Sequence, residues 1–156
     1  AECMMHRQAS FIPAFFPEGV EAGVDYDFFY FPAYAGKDLG KPVLGGGTLF
    51  AATNDNEATM EFLKFLLHPE PNEWWMAKGG FLTPNKNADL NAYSSDTFKK
   101  LGEILTGATT FRFDGSDLMP GAIGAGSFWT GMVDYTNGKS AKEVADAIQS
   151  SWDAIK

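Results

Sequence analysis

The sequence has a single cysteine, two histidines and few basic residues. One cysteine, Cys3, excludes an internal disulfide and any zinc site built from cysteine clusters. It stands in an apolar stretch, where a thiol is more often a small buried side chain than a nucleophile. His6 and His68 are far apart, and neither has the spacing of a metal-ligand pair, so no metal is expected. His68, directly before Pro69, reads as the end of a helix, where imidazole suits the negative end of the dipole. No secretory signal pattern occurs, and no apolar run approaches the ~20 residues that cross a bilayer. Twelve Lys and Arg against 20 Asp and Glu give a net charge of −8. Nucleic acid and anionic membrane surfaces need clustered cations, so neither is an expected partner. Catalytic motifs are missing too: there is no G-x-S-x-G elbow, no Walker loop and no G-x-G-x-x-G joining a strand to a helix. Gly45-Gly46-Gly47 is glycine-rich, but no Lys-Ser or Lys-Thr follows it as a phosphate loop requires. No cofactor is expected.

What is present suits a packed α/β domain, helix-rich toward its C-terminus. The 156 residues are 45% hydrophobic and 15% aromatic, enough to build a core and far from the disordered class. Residues 1–5 carry no cap or turn signal and read as the middle of a strand. An N-terminal portion, with any export signal, is therefore expected to precede them. Residues 1–34 are dense in aromatics and proline, which predicts short strands and tight connections. Val43-Leu44 and residues 48–52 predict a strand interrupted by the three glycines, where the backbone bends or approaches something closely.

Helical patterns follow. Asn54 with Glu57 suggests a capping box, and Ala58, Phe62, Leu63, Leu66 and Leu67 mark an apolar face. Pro69 and Pro71 end that helix, with Pro71 suiting the first turn of a second one to Lys78, stopped by Gly79-Gly80. A third helix is predicted from Ser95 to Thr106, with Gly107 as its stop, and a fourth around residues 128–136. The last begins at a capping box of Ser140 and Glu143 and turns Val144, Ile148 and Trp152 inward.

Two stretches can carry recognition. Arg112-Phe113-Asp114-Gly115-Ser116-Asp117 reads first as an Asp-Gly turn held by an Arg–Asp ion pair. It also reads as a carboxylate pair of a glycosidase, or as donors and acceptors matched to vicinal hydroxyls. Calcium fits poorly, because no acidic residue closes the loop at Ala125. Phe128-Trp129 follows the glycine-rich residues 121–126, where small side chains leave room for a ligand or a close backbone. A sugar ring has an apolar C–H face and a polar rim, so an aromatic plate with fixed polar groups recognises it. Trp74, Trp75, Trp129 and Trp152 are candidate plates; Trp152 reads as core, and of the adjacent Trp74 and Trp75 at least one should be near the surface.

The order of segments then points to a family. Cys3-Met4-Met5, Gln8-Ala9-Ser10-Phe11-Ile12, Asp27-Phe28-Phe29-Tyr30-Phe31-Pro32 and the triple glycine come first. Glu61-Phe62-Leu63-Lys64-Phe65-Leu66, His68-Pro69-Glu70, Gly79-Gly80-Phe81-Leu82-Thr83-Pro84-Asn85, residues 112–120 and Gly126-Ser127-Phe128-Trp129 complete the succession. It resembles, over nearly the whole chain, the C-terminal half of extracellular solute-binding proteins of carbohydrate ABC transporters, of the maltose and α-glucoside type. The resemblance implies a periplasmic-binding-protein-like (type II) fold of two lobes that close over a sugar. Residues 1–44 would belong to the C-terminal lobe, 45–97 to a hinge crossing and part of the N-terminal lobe, and 98–156 to the returning C-terminal lobe. It implies ligand contacts at Gln8, Ser10, the backbone of Gly46 and Gly47, Arg112, Asp114 and Asp117, with Trp129 as the stacking plate. Ser10 stands where maltose binders often carry a tryptophan. The implied partners are an oligosaccharide, a membrane permease, and either the missing N-terminal half or a second copy, which would cover the apolar helix face of residues 48–94. The implied location is periplasmic or extracellular, free or lipid-anchored through an N-terminal portion. The implied activity is binding without chemistry; a glycoside hydrolase using Asp114 or Asp117 is the alternative.

Overall fold

The computed structural model describes residues 4–156, so Cys3 and most of the strand expected at residues 1–5 lie outside the described residues. The chain divides into two compact units. One takes in the chain up to Val43 together with Thr48–Phe111; the other comprises Leu44–Gly47 and Arg112–Lys156. Of the three points where the chain passes from one to the other, two fall within the strands of a two-stranded sheet, β1 (Pro42–Gly45) and β2 (Thr110–Phe113), and the third follows the glycine run. Thr109 N–H donates to Lys41 O and Asp114 N–H to Gly45 O, each at 3.0 Å. Both steps advance in the same direction, so the strands run parallel, a pairing that needs a long crossover between them.

Fewer strands form than the aromatic and β-branched runs predict. Among described residues 4–34 there is a 3₁₀ turn at Ile12–Phe15, with Pro13 in its first turn, and an isolated bridge between Ala22 and Tyr26. Met4 and Met5 are not in a strand, and β1 stops at the first glycine, so residues 48–52 are irregular. A strand needs a neighbour along its length to take its N–H and C=O groups, and composition by itself does not supply one. Tyr30 instead donates its hydroxyl to Pro42 O.

In the first unit, α1 (Glu57–Leu67) is capped by Asn56, not Asn54: the Asn56 side chain accepts the Thr59 N–H at 2.9 Å. An N-cap must sit directly before the first helical residue to reach the third amide, and Asn54 is two residues too early. His68 is extended, as the following Pro69 demands, and Pro69 opens α2 (Pro69–Lys78). Buried Asn72 fixes the elbow. Its Nδ2 donates to Leu66 O at 3.0 Å and His68 O at 2.8 Å, while its Oδ1 accepts the Thr83 hydroxyl at 2.8 Å. Asn85 Nδ2 donates to Leu67 O at 2.8 Å, so carbonyls orphaned at the end of α1 find side-chain partners. Gly79 leaves α2 at φ 82°, a conformation that favours glycine.

Met76, Ala88 and Tyr93 form the core beside α2, with Phe81, Leu82 and Phe98 packed on them. Trp75 stacks on Phe81 with centroids 4.4 Å apart. Burial pushes the Tyr93 hydroxyl above its ordinary pKa, against the opposing effect of the Thr83 N–H that it accepts at 3.0 Å. α3 (Asp96–Thr106) starts at Ser95, whose hydroxyl accepts the Phe98 N–H. Gly102 leaves the space that the Tyr93 ring fills: a Cβ there would lie 2.4 Å from Cε2. Phe62, Phe65, Leu67, Trp74 and Trp75 stay exposed on α1 and α2, Leu67 at 76%.

In the second unit, a π-helical segment (Ala122–Phe128) that the sequence pattern does not indicate runs directly into α4 (Trp129–Thr136), which lies where the fourth helix is predicted. Gly131 brings α4 close to α5 (Ala141–Ala154): a Cβ on it would lie 2.9 Å from Val144 Cγ1 and 3.1 Å from Ile148 Cδ1. Val144 and Ile123 are buried, and Trp152 is partly buried. The Ser140–Glu143 capping box forms in full. No helix among the described residues is long and apolar enough to cross a membrane.

Candidate functional site

Six of the eight residues expected to contact ligand fall in one compact unit: Gly46, Gly47, Arg112, Asp114, Asp117 and Trp129. Gln8 and Ser10 belong to the other. Gln8 is exposed, with its Oε1 accepting the Ala9 N–H at 2.9 Å, and Ser10 is partly buried.

The six are held by the way β1 and β2 end. β1 exits into the glycine run, and β2 exits into the turn that starts at Asp114, tied to β1 by the Asp114 N–H···Gly45 O bond of 3.0 Å. Asp114 Oδ1 then accepts the Ser116 N–H at 2.8 Å and the Ser116 hydroxyl at 2.5 Å. This side-chain turn closes the loop, a device for which Asp followed by Gly is well suited. Hydrogen bonds from the Ser116 hydroxyl, the Ser116 N–H and the Asp117 N–H hold the Asp114 carboxyl below its ordinary pKa, against a smaller desolvation effect. Asp114 is therefore a carboxylate, an acceptor of hydrogen bonds and not a proton donor.

The ion pair expected to hold this turn is absent. Among the described residues no ion pair joins Arg112 to Asp114 or Asp117, and the exposed Arg112 side chain has no hydrogen-bond partner. The turn is closed instead by Ser116, whose N–H and hydroxyl both reach Asp114 Oδ1. Asp117 lies against the glycine run, its Oδ2 2.8 Å from where a Cβ of Gly46 would stand.

The π-helical segment packs on the same turn. A Cβ at Gly124 would lie 2.2 Å from Ser116 O, so only glycine allows this approach. Ile123 N–H and Gly124 N–H both donate to Pro120 O, at 2.8 and 2.9 Å. The segment delivers Trp129 at the first turn of α4 with 67% of its surface exposed. An indole so exposed is free to receive a flat apolar face, which a core tryptophan is not. Trp74 and Trp75 are exposed as well, and belong to the other unit.

Sequence reasoning missed Ser116 and the π-helical geometry. The Asp-Gly-Ser string carries the signal for the first. For the second, a glycine-rich stretch before an amphipathic helix says only that something approaches closely. The buried Ser127 hydroxyl, without a hydrogen-bond partner among the described residues, sits within that segment. No group of three or more His, Cys, Asp or Glu side chains among the described residues is placed to hold a metal. Two shallow hollows at the elbow of α1 and α2, lined by Glu61, Lys64, Phe65, Leu67, His68, Pro69 and Glu70, contain none of the eight.

Within one compact unit, Trp129 thus offers an exposed indole, Arg112 guanidinium donors, and Asp114 and Asp117 carboxylate acceptors. Two known proteins are similar to the chain. The chain is 57% identical over 156 residues, 99% of its length, to the alpha-glucosides-binding periplasmic protein AglE of Rhizobium meliloti, covering 34% of that protein. It is 40% identical over 150 residues, 96% of its length, to the osmoprotective compounds-binding protein GgtB of Synechocystis, covering 35% of that one. The chain is thus similar, over nearly all of its own length, to part of each of these two binding proteins, and spans about a third of the length of the curated relatives it matches. No protein-family model and no solved structure matches it.

Proposed function

We propose that the chain is part of the substrate-binding component of an ABC sugar importer and contributes to a site for an oligosaccharide of the α-glucoside class. The observation that carries this reading is the 57% identity, over nearly the whole chain, to a protein named for binding α-glucosides. The geometry supports it. Trp129 is the plate for the apolar face of a sugar ring, Arg112 donates to hydroxyl oxygens, and Asp114 and Asp117 accept from hydroxyls. The backbone groups of Gly46 and Gly47 add hydrogen bonds to hydroxyls, and Gln8 and Ser10 add polar contacts. In the whole protein the fold would be the two-lobed type II arrangement, with residues 1–44 and 98–156 in one lobe and 45–97 forming a hinge crossing and part of the other. The exposed apolar residues of α1 and α2 would be covered by the remainder of the protein or by a second copy. The partner at the membrane would be a permease, and the location periplasmic or extracellular.

The reading includes no chemistry. A glycosidase needs a protonated carboxyl as its general acid, and the hydrogen bonds that hold Asp114 ionised work against that role. Calorimetric titration of the whole protein with maltose, trehalose and sucrose tests the proposal. Saturable binding of at least one, with the sugar recovered intact, is expected. No binding of any, or hydrolysis that Asp114→Asn abolishes, defeats it.

A further inference from the structure

We infer that Gly46 is a positioning residue that sets where the Asp117 carboxylate lies; the consequence for sugar affinity rests on the binding reading above. A Cβ built on Gly46 would fall 2.8 Å from Asp117 Oδ2, well inside van der Waals contact. Apart from its chain neighbours, no other atom of the described residues comes within 4 Å of that point. The backbone does not demand glycine here, because Gly46 is not among the glycines with positive φ. Gly79, which leaves α2 at φ 82°, shows the contrast. The space that a side chain at 46 would take is instead used by the carboxylate. Both residues are on segments already joined by the Asp114 N–H···Gly45 O bond, which holds the two backbones near each other and leaves the side chain to find its place between them.

The obstructing group decides what a substitution does. At Gly124 the nearby atom is a backbone oxygen, 2.2 Å away, and the fold itself must yield. At Gly46 it is the end of a short, rotatable side chain. A methyl group there turns the Asp117 carboxylate aside at little cost to the fold, and moves an acceptor out of line with its hydroxyl. Gly46 is thus coupled to ligand through Asp117.

A double-mutant cycle on the whole protein tests this, with Gly46→Ala, Asp117→Ala and the pair titrated calorimetrically with maltose, trehalose and sucrose. The expected result is an unchanged melting temperature for Gly46→Ala and an affinity lower by roughly ten- to a hundredfold, the scale of one hydrogen bond to a charged group. In the Asp117→Ala background the alanine at 46 should add nothing. An equal loss in both backgrounds, or none in either, overturns the inference. The Asp117 carboxylate ¹³C resonance of the sugar-free variants separates the two ways of failing. If it moves in Gly46→Ala while no sugar binds even the unmodified protein, the positioning stands and the sugar reading falls. If it does not move, the positioning is wrong.

Discussion

Removing Trp129 should separate binding from folding. The side chain is 67% exposed, so few of its contacts hold the second unit together. Tryptophan presents ~250 Å² of surface, which leaves roughly 170 Å² available to a ligand. A sugar ring laid on one face covers about half of that, ~80 Å². At ~25 cal/mol per Å² this is worth about 2 kcal/mol. Trp129→Ala should therefore weaken α-glucoside binding roughly thirtyfold. Stability should change by no more than about 0.5 kcal/mol, as expected of a surface substitution. Calorimetric titration of the whole protein reads the first quantity and urea denaturation the second. Trp129→Phe should recover part of the affinity, since a smaller plate still stacks. Unchanged affinity in the alanine variant, or a loss of stability as large as the loss of binding, would refute the stacking argument.

Two further substitutions probe the turn beneath that plate. Gly124→Ala should destabilise the protein by about 1–3 kcal/mol in urea denaturation, because the new methyl meets a backbone oxygen that cannot rotate away. A wild-type midpoint would show that the close approach is not maintained in solution. Ser116→Ala removes the largest cause of the lowered Asp114 pKa, so NMR titration should find that carboxyl moved up toward the ordinary range. A folded-state pKa below the unfolded one means that the bond stabilises the turn above the ordinary carboxylate pKa. That contribution fades as pH falls through the folded value. The acid-side stability of Ser116→Ala should accordingly depend less on pH than that of the unmodified protein.

The helices were legible in the sequence where a local rule is sufficient. Ser95 and Ser140 cap α3 and α5 as their spacing predicts and Gly79 closes α2, whereas α2 opens at Pro69, two residues before the Pro71 that the sequence pattern points to. The start of α1 was misplaced because Asn54 and Asn56 both offer a capping side chain, and the three-residue spacing to Glu57 favours the wrong one. Strands were less legible because pairing is a property of two segments. Residues 27–34 have the composition of a strand but no neighbour to pair with among the described residues. The turn at Asp114 was read as an Arg–Asp ion pair, since opposite charges two residues apart invite that reading. The Ser116 N–H and hydroxyl take the carboxylate instead, a side-chain turn that the Asp-Gly-Ser string also encodes. Trp129 was singled out by the small residues before it. That those residues form a π-helical segment depends on the packing of Gly124 against Ser116, which no periodicity records.

The pairing of β1 with β2 joins Lys41 to Thr109, 68 positions apart. Closing so long an intervening chain carries an entropy cost that the helices, built from neighbours three and four residues away, do not incur. A two-stranded ladder returns little by itself. The glycine run and the Asp114 turn are therefore expected to meet late in folding, after α3 and α5 have formed, an order that pulsed hydrogen-exchange labelling reads directly. A nick anywhere between the two strands would leave most helices intact and still unmake the place where the carboxylates meet the glycines.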